Sequence, residues 1–508
     1  QKVLGYGPGQ TPQYGKIRDP DLDEGDFVFI LRAAAPVVAR TEPRADRQRK
    51  AAPRFDEEEE LWEEIKNSKD PEDFKDYLEA YPTGRFKVTA RIKKRKLERR
   101  LKKAAVAKTA AVRPPAPAKE GPPSGVTWEL RFWGGEGTAH AAVPVPGGGY
   151  IISYSTKTQM NGERYTSLLR VKKGGERVWT QIIGREGKKV SGSLIALSKG
   201  GFVFAGNAKT MNSKNERPFV LKLDKKGRRV WERVLDFAGR NISISSFVQN
   251  RNRGFLVAGS ETHPGSNVFV SGLDKEGSNL WVKNFGGSRD YKLFSIGITQ
   301  EKESFRVGNI IYRGTGIFVA GHTNSMRPEM LDAWLIRLNG NGGKFWERIY
   351  GGKKVDAAQA VKTLPDGGVV FAGLTNSKGA GGADAWMVRT SKKGKLMWER
   401  TYGGKDFDKA NAVALVPGGG FILAGETRSK GAGKTDGWLI RLDQNGNKIW
   451  DRTYGGKNHD RFFSVRTTPD WGFIVSGNRD RTGKDGNKGG KPWVIKMDLH
   501  GRYKESFR

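Results

Sequence analysis

Between residues 412 and 454 apolar and polar positions alternate in four short runs. Residues 412–416 lead into Pro417-Gly418-Gly419-Gly420, residues 421–425 into a loop at 429–435, and residues 438–442 into Gln444-Asn445-Gly446 before residues 448–454. A period of two sends neighbouring side chains to opposite faces of a strand. The turns place Gly where the backbone needs positive φ, so the pattern predicts four antiparallel strands. The unit recurs along the chain. Trp128, Trp179, Trp231, Trp281, Trp346, Trp398 and Trp450 mark its last strand, with Tyr503 in a degenerate eighth place. The spacings are 51, 52, 50, 65, 52, 52 and 53, and an insertion around residues 300–315 explains the long one.

Seven units of this length, each built of short strands, point to a closed ring of small sheets, because a ring leaves no long strand edge exposed. The expected fold class is mainly β: a seven-bladed β-propeller of four-stranded antiparallel blades over residues 126–508. An α-helical module and an extended N-terminal arm precede it. Eight copies of the last strand exist for seven blades. The copy from Trp128 is intact, whereas residues 503–508 have lost the Trp and the Gly pair. The N-terminal copy is therefore expected to lock against the last blade, displacing or flanking the C-terminal one.

The repeated side chains suit this architecture. A Trp at a fixed place fills the wedge between radiating blades, and a second series, Trp334, Trp386, Trp438 and Trp493, sits on the third strand. Asp356, Asp408 and Asp460 follow Gly-Gly pairs, and Asp332, Asp384 and Asp436 precede the third-strand Trp by two. Carboxylates repeated with the blade period are expected to bond loop amides. Asp443-Gln444-Asn445-Gly446 echoes the start of a calcium loop but lacks the distal Glu, and its hairpin position accounts for it.

The N-terminal quarter differs. Residues 1–55 are too poor in apolar side chains to fold alone. Their one apolar run, with Phe27, Phe29 and Leu31, is either a strand for a partner's sheet edge or a tail on its own protein. Residues 56–105 change to helical spacing, with Leu61, Trp62 and Ile65 on one stripe and Phe74, Tyr77, Leu78 and Tyr81 on another. Asp70 can cap and Pro71 suits a first helical position, predicting a helical hairpin followed by a basic helix. From Arg85 to Lys119 there are fourteen basic residues and one acidic, Glu98. Lys93, Lys94 and Arg95 lie at the centre of this run, either a solvated face or an anionic docking surface. An Ala/Pro-rich linker is expected over 106–125. The hairpin resembles a short module of bacterial multidomain proteins and half of a tetratricopeptide unit, which implies protein contact.

Charge sharpens the choice of partner. The chain has 90 Lys and Arg against 55 Asp and Glu, a net +35. Residues 1–125 hold 27 basic and 21 acidic residues, so the repeats carry a net +29. The basic turns Lys172-Lys173, Lys225-Lys226 with Arg228-Arg229, and Lys392-Lys393 with Lys395 fall, by strand order, on one face. The chain has no Cys, which removes disulfides, thiolate metal sites and thiol nucleophiles. Five His (His140, His263, His322, His459, His500) share no repeat position, and no nucleophile elbow or phosphate loop occurs. No catalytic residue, cofactor or metal is expected. No run of apolar residues is long enough for a membrane helix.

The pattern Asp-x-x-Gly-x-x-x-Trp-x-x-x-x-Gly, as in residues 443–455, resembles the repeats of quinoprotein-like propellers. The longer Trp-x-Arg-x-Tyr-Gly-Gly-x-x-x-Asp form is similar to repeats of bacterial secreted and surface propellers. The quinone-dependent dehydrogenases of that fold carry an adjacent Cys pair, which is impossible here. The outer-membrane assembly scaffolds of the same broad group fit better. The resemblance implies a non-enzymatic scaffold holding protein subunits in a larger, extracytoplasmic bacterial assembly. Binding of an anionic polymer, polysaccharide or nucleic acid, through the basic face is the alternative, with an enzyme built on unique channel residues a third.

Overall fold

The computed structural model describes residues 58–59, 62, 65–67, 71–111, 126–132, 135–157, 164–184, 192–209, 216–237, 240–250, 254–261, 267–286, 291–299, 303–307, 310–314, 316–324, 330–482 and 488–504. Phe27, Phe29 and Leu31 lie outside them. The chain divides into two compact units, Gln1–Ala116 and Pro117–Arg508.

In the first unit Pro71 opens helix α1 (Pro71–Ala80), where a missing N–H costs nothing because the first amides of a helix have no partner within it. Helix α2 (Lys87–Ala111) carries the basic run past residue 105, into the stretch expected as linker. Trp62, Ile65, Phe74, Tyr77 and Ala90 form the core of this unit. The Trp62 ring stacks on Phe86 at 4.8 Å. The Tyr77 hydroxyl donates to Glu58 at 2.5 Å and accepts from the Phe86 amide at 3.1 Å.

The second unit is a ring of seven four-stranded antiparallel sheets. The first strands are Gly137–Pro144, Gly192–Ala196, Ile242–Gln249, Tyr291–Ile298, Asp356–Thr363, Asp408–Leu415 and His459–Thr467, in blades one to seven. Each lies beside the next, and the seventh beside the first, so they surround a central axis. In all blades but the second the first strand has a bulge that shifts its register by one residue. The insertion forms a hairpin, Glu303–Val307 with Ile310–Gly314, between the first two strands of blade four.

The N-terminal copy displaces the C-terminal one. Trp128–Arg131 is the outermost strand of blade seven, with Trp128 opposite Lys496 and Arg131 opposite Trp493. Tyr503 forms no strand. Its ring lies 6.2 Å from Tyr454, and the Lys504 amide donates to Thr127 at 3.1 Å.

Each outer-strand Trp packs against the following blade. A Cβ on Gly175, Gly227, Gly277, Gly342, Gly394, Gly446 or Gly501 would strike Trp128, Trp179, Trp231, Trp281, Trp346, Trp398 or Trp450 in turn. These Gly have φ between 72° and 95°, so both the turn and the ring above it exclude a side chain. Tyr350, Tyr402 and Tyr454, four residues after their Trp, donate to the Gly394, Gly446 and Gly501 carbonyls of the next blade at 2.5–2.7 Å. Within a blade, the fully buried Trp334, Trp386, Trp438 and Trp493 donate from their indole N–H to the acid following the outer Trp. The acceptors are Glu347 (2.6 Å), Glu399 (3.1 Å), Asp451 (3.1 Å) and Glu129 (2.8 Å). A buried indole N–H needs an acceptor. The displaced copy has Lys504 at the place where the N-terminal copy supplies Glu129, and a lysine cannot accept from the Trp493 indole.

The Asp series bonds loops, as its period implies. Asp356 accepts from the Gly352 amide at 2.7 Å, the Ser377 hydroxyl at 2.7 Å and the Thr375 hydroxyl. Asp408 repeats the set with Gly404, Ser429 and Thr427. Asp460 accepts from the Gly456 and Asp480 amides, both at 2.8 Å. Asp384 accepts from the Ala380 and Gly381 amides, and Asp436 from Gly433. Third-strand and first-strand carboxylates of neighbouring blades face each other. A side chain on Gly403 would strike both Asp384 and Asp408.

Two measurable consequences follow from these contacts. Glu129 also accepts from Arg479 at 2.7 Å, so Glu129→Ala leaves a buried indole N–H without its acceptor and Arg479 with Asp480 alone. It should cost about 2 kcal/mol in chemical denaturation, and Glu129→Gln less. An unchanged unfolding midpoint for Glu129→Ala would remove this carboxylate from ring closure. The second concerns pH. Burial, and the charge of Asp408, push Asp384 above the ordinary carboxylate value of 3.8 against its amide bonds. Burial likewise raises Asp436 and Asp460. A raised folded pKa means that the native chain holds the proton longer than the unfolded one. That stability is complete below pH 3.8 and fades as pH rises through the folded values. Asp451 and Asp470, held low by hydrogen bonds, contribute with the opposite sign and below that window. Asp384→Asn keeps an acceptor for the two amides and loses the titration. It should flatten the decline of unfolding free energy as pH rises above 3.8.

Candidate binding face

Strands alternate in direction, so first-to-second and third-to-fourth turns share one face of the ring. The third-to-fourth turns are shaped by their opening residue. Asp224 Oδ1 accepts from the Lys226 and Arg228 amides at 2.9 Å, and Asp274, Asn339, Asp443 and Asp498 repeat the pattern. These bonds from Arg228 and Lys226 hold the Asp224 carboxyl low. Burial pushes Asp443 up, but bonds from Asn447 and Asn445 outweigh it and keep it low. The Asp443 turn is thus closed by its own amides.

The basic turn residues project from these scaffolds into solvent. Lys172 and Lys173 in blade one, Lys225, Lys226, Arg228 and Arg229 in blade two, and Lys392, Lys393 and Lys395 in blade five are all exposed. Arg228 pairs with Asp224 at 2.7 Å and Arg229 with Glu232 at 2.5 Å. The ring splits the set: blades one and two are neighbours, and blade five stands apart. Between blades one and two a groove of about 270 Å³ is lined by Arg170, Lys199 and Lys225 with Val145, Pro146 and Phe202.

In the helical unit the three candidates divide. Lys93 is half-buried, donates to the Lys66 carbonyl and lies 5.6 Å from the Trp62 ring centre. Lys94 pairs with Glu98 at 3.0 Å, and Arg95 is exposed. Lys93 therefore has a contact inside its own unit that spacing did not suggest.

Part of the positive charge is structural. Arg170, Arg337, Arg389, Arg441 and Lys496 stand opposite the outer-strand Trp. Arg170 and Arg441 reach the Gly148 and Gly419 carbonyls at 2.6 and 2.8 Å, tying the first-to-second turn to the third strand. Arg337 donates to the Lys392 carbonyl at 2.7 Å and Lys496 pairs with Asp470 at 3.0 Å. The spacing Trp-x-x-Arg/Lys after the third-strand Trp carried this signal, in Trp334 to Arg337, Trp386 to Arg389, Trp438 to Arg441 and Trp493 to Lys496.

One aromatic side chain on this face serves no repeated role. Trp471 is 39% exposed with φ 65°. Its amide donates to the Thr468 carbonyl, just as the Gly148, Gly200, Gly367 and Gly419 amides donate in the matching turns of other blades. A bulky residue thus occupies a glycine place, a strain of roughly 1–3 kcal/mol. Sequence alignment of the turns shows the substitution; its backbone conformation needed the structure.

Among the described residues no group of three His, Asp or Glu is placed to hold a metal ion, and no helix is long and apolar enough to cross a membrane. No protein-family model matches the chain. No curated protein matches it either. Similar solved structures include an acylaminoacyl peptidase of Pyrococcus horikoshii, at 12% identity and TM-score 0.38, covering 72% of this chain and 52% of that one. BBS1N, solved in complex with ARL6DN, is 11% identical at TM-score 0.41, covering 75% of this chain and all of that one. A puromycin hydrolase mutant is 13% identical at TM-score 0.38, covering 68% and 50%. The chain spans about half the length of the two hydrolases.

Proposed function

We propose that the chain is a non-catalytic scaffold that holds protein partners in a larger assembly through the turn face of its ring. The observation that carries this reading is Trp471, exposed and strained at a turn tip where other blades have Gly. Exposed Trp is the side chain most enriched where binding energy concentrates, and strain that packing does not require accumulates at binding sites. The repeated Trp, Asp and Arg are occupied in joining blades, which fits a ring built to present its turns. An extracytoplasmic bacterial setting belongs to the same proposal and rests on the Cys-free sequence and the repeat resemblance.

The groove flanked by Arg170, Lys199 and Lys225, on the face that also carries the exposed Lys172-Lys173 turn, favours one second reading, an anionic polymer laid across blades one and two. The two readings differ in salt dependence. A polymer held by several Lys and Arg releases counterions, so its affinity falls steeply with salt, whereas a Trp-centred protein contact changes little.

The test uses Trp471→Gly in the full chain. Relief of strain should leave the melting temperature unchanged or higher, while proteins captured from the native source in about 0.5 M salt, a concentration that screens charge beyond a few Å, are lost. Equal capture by wild type and Trp471→Gly would overturn the scaffold reading of this face. Loss of all capture in that salt, with heparin bound only at low salt and released by neutralising Lys172, Lys173, Lys225 and Lys226, would decide for the polymer.

A further inference from the structure

Around the axis one level of the ring is fixed by register. The residue of each first strand that faces the second residue of the second strand is Val143, Ile195 or Val248 in blades one to three, Gly297 in blade four and Ala414 in blade six. In blades five and seven it is Lys362, opposite Val370, and Arg466, opposite Ile474. The apolar half of the level belongs to blades one to three. The other half alternates a small residue with a base.

Both bases are half-buried. Arg466 donates to the neighbouring Val465 carbonyl at 2.9 Å, and among the described residues no carboxylate pairs with either. Two like charges facing one low-dielectric space repel and lose hydration, which is costly unless an opposite charge joins them. The cost shows in the burial, and the Arg466 charge, that lower the Lys362 ammonium to about 7. Elsewhere the ring compensates such groups: Lys496 has Asp470, Arg461 has Glu426 and Arg479 has Glu129. Among the described residues no acid does so here, which leaves the charge to a group from outside.

We propose that the central channel, near its opening on the turn face, binds a single oxyanion, a phosphate or carboxylate group, between Lys362 and Arg466. The lysine supplies a point charge and the guanidinium a planar pair of donors suited to such a group. The site is separate from Trp471 and from the outer basic turns, and does not depend on the scaffold reading.

Titration calorimetry and thermal unfolding of the full chain with inorganic phosphate, and in a second arm with acetate, test it. Saturable binding of one phosphate per chain is expected, with a rise in melting temperature that follows occupancy. At pH 8 the Lys362 amine takes up a proton on binding, so the measured heat varies with the ionisation heat of the buffer. Response to acetate as well extends the site to carboxylates; response to phosphate alone restricts it. Lys362→Gln with Arg466→Gln should weaken binding roughly thirtyfold or more and remove the phosphate-dependent rise, while leaving ligand-free melting equal or higher. Lys172→Gln with Lys225→Gln should leave binding unchanged. No saturable response to either anion, or a response that survives in the channel variant, would overturn the proposal. Binding at pH 8 without proton uptake would exclude Lys362 from it.

Discussion

The structure depends on one kind of contact, a large aromatic ring laid across the seam between sheets. A four-stranded sheet with two apolar faces is not stable alone in water and must bury both. Here the outer Trp of one blade rests on a turn Gly of the next, and in three seams a Tyr four residues on bonds that turn's carbonyl. Every blade is thereby fastened to its neighbour at its outer edge, where radiating sheets diverge and a gap would open. The absence of a Cβ on those Gly is as much a part of the joint as the ring itself.

Electrostatics is organised by the same plan. In blades four to seven the acid next to the outer Trp is drawn inward by a buried indole, and the base three residues after the inner Trp is drawn toward backbone carbonyls. What the net charge advertises is therefore divided. Some cations are internal fasteners, some are exposed on turn tips, and two occupy the innermost strands with no carboxylate paired to them among the described residues. Chemistry with outside molecules has to be sought in the second and third groups.

Much of this was legible in the chain. Strand positions, blade number, the place of the insertion and the structural use of Asp356, Asp408 and Asp460 follow from period and turn composition, because those quantities are local. The exchange of end strands was legible as two alternatives. Choosing between them required seeing the buried Trp493 indole bonded to Glu129. Lys362, Arg466 and Trp471 were not singled out for a structural reason. The first two become neighbours only when the ring brings blades five and seven around a common axis, and the third is unusual in φ, which a sequence does not display. Lys93 illustrates the reverse, a charge in a basic run whose place is set by two aromatic rings beneath it.

The pairing of Trp128–Arg131 with the final strand joins groups as far apart in sequence as Glu129 and Trp493, 364 residues. Closing a loop of that length costs about 5 kcal/mol in chain entropy, recovered only once the last strand exists. During synthesis from the N-terminus, the earliest strand of the ring must therefore wait for the latest, with the first blade's flank open meanwhile. Assembly of this molecule has a definite last step, and a chain truncated anywhere in blade seven never reaches it.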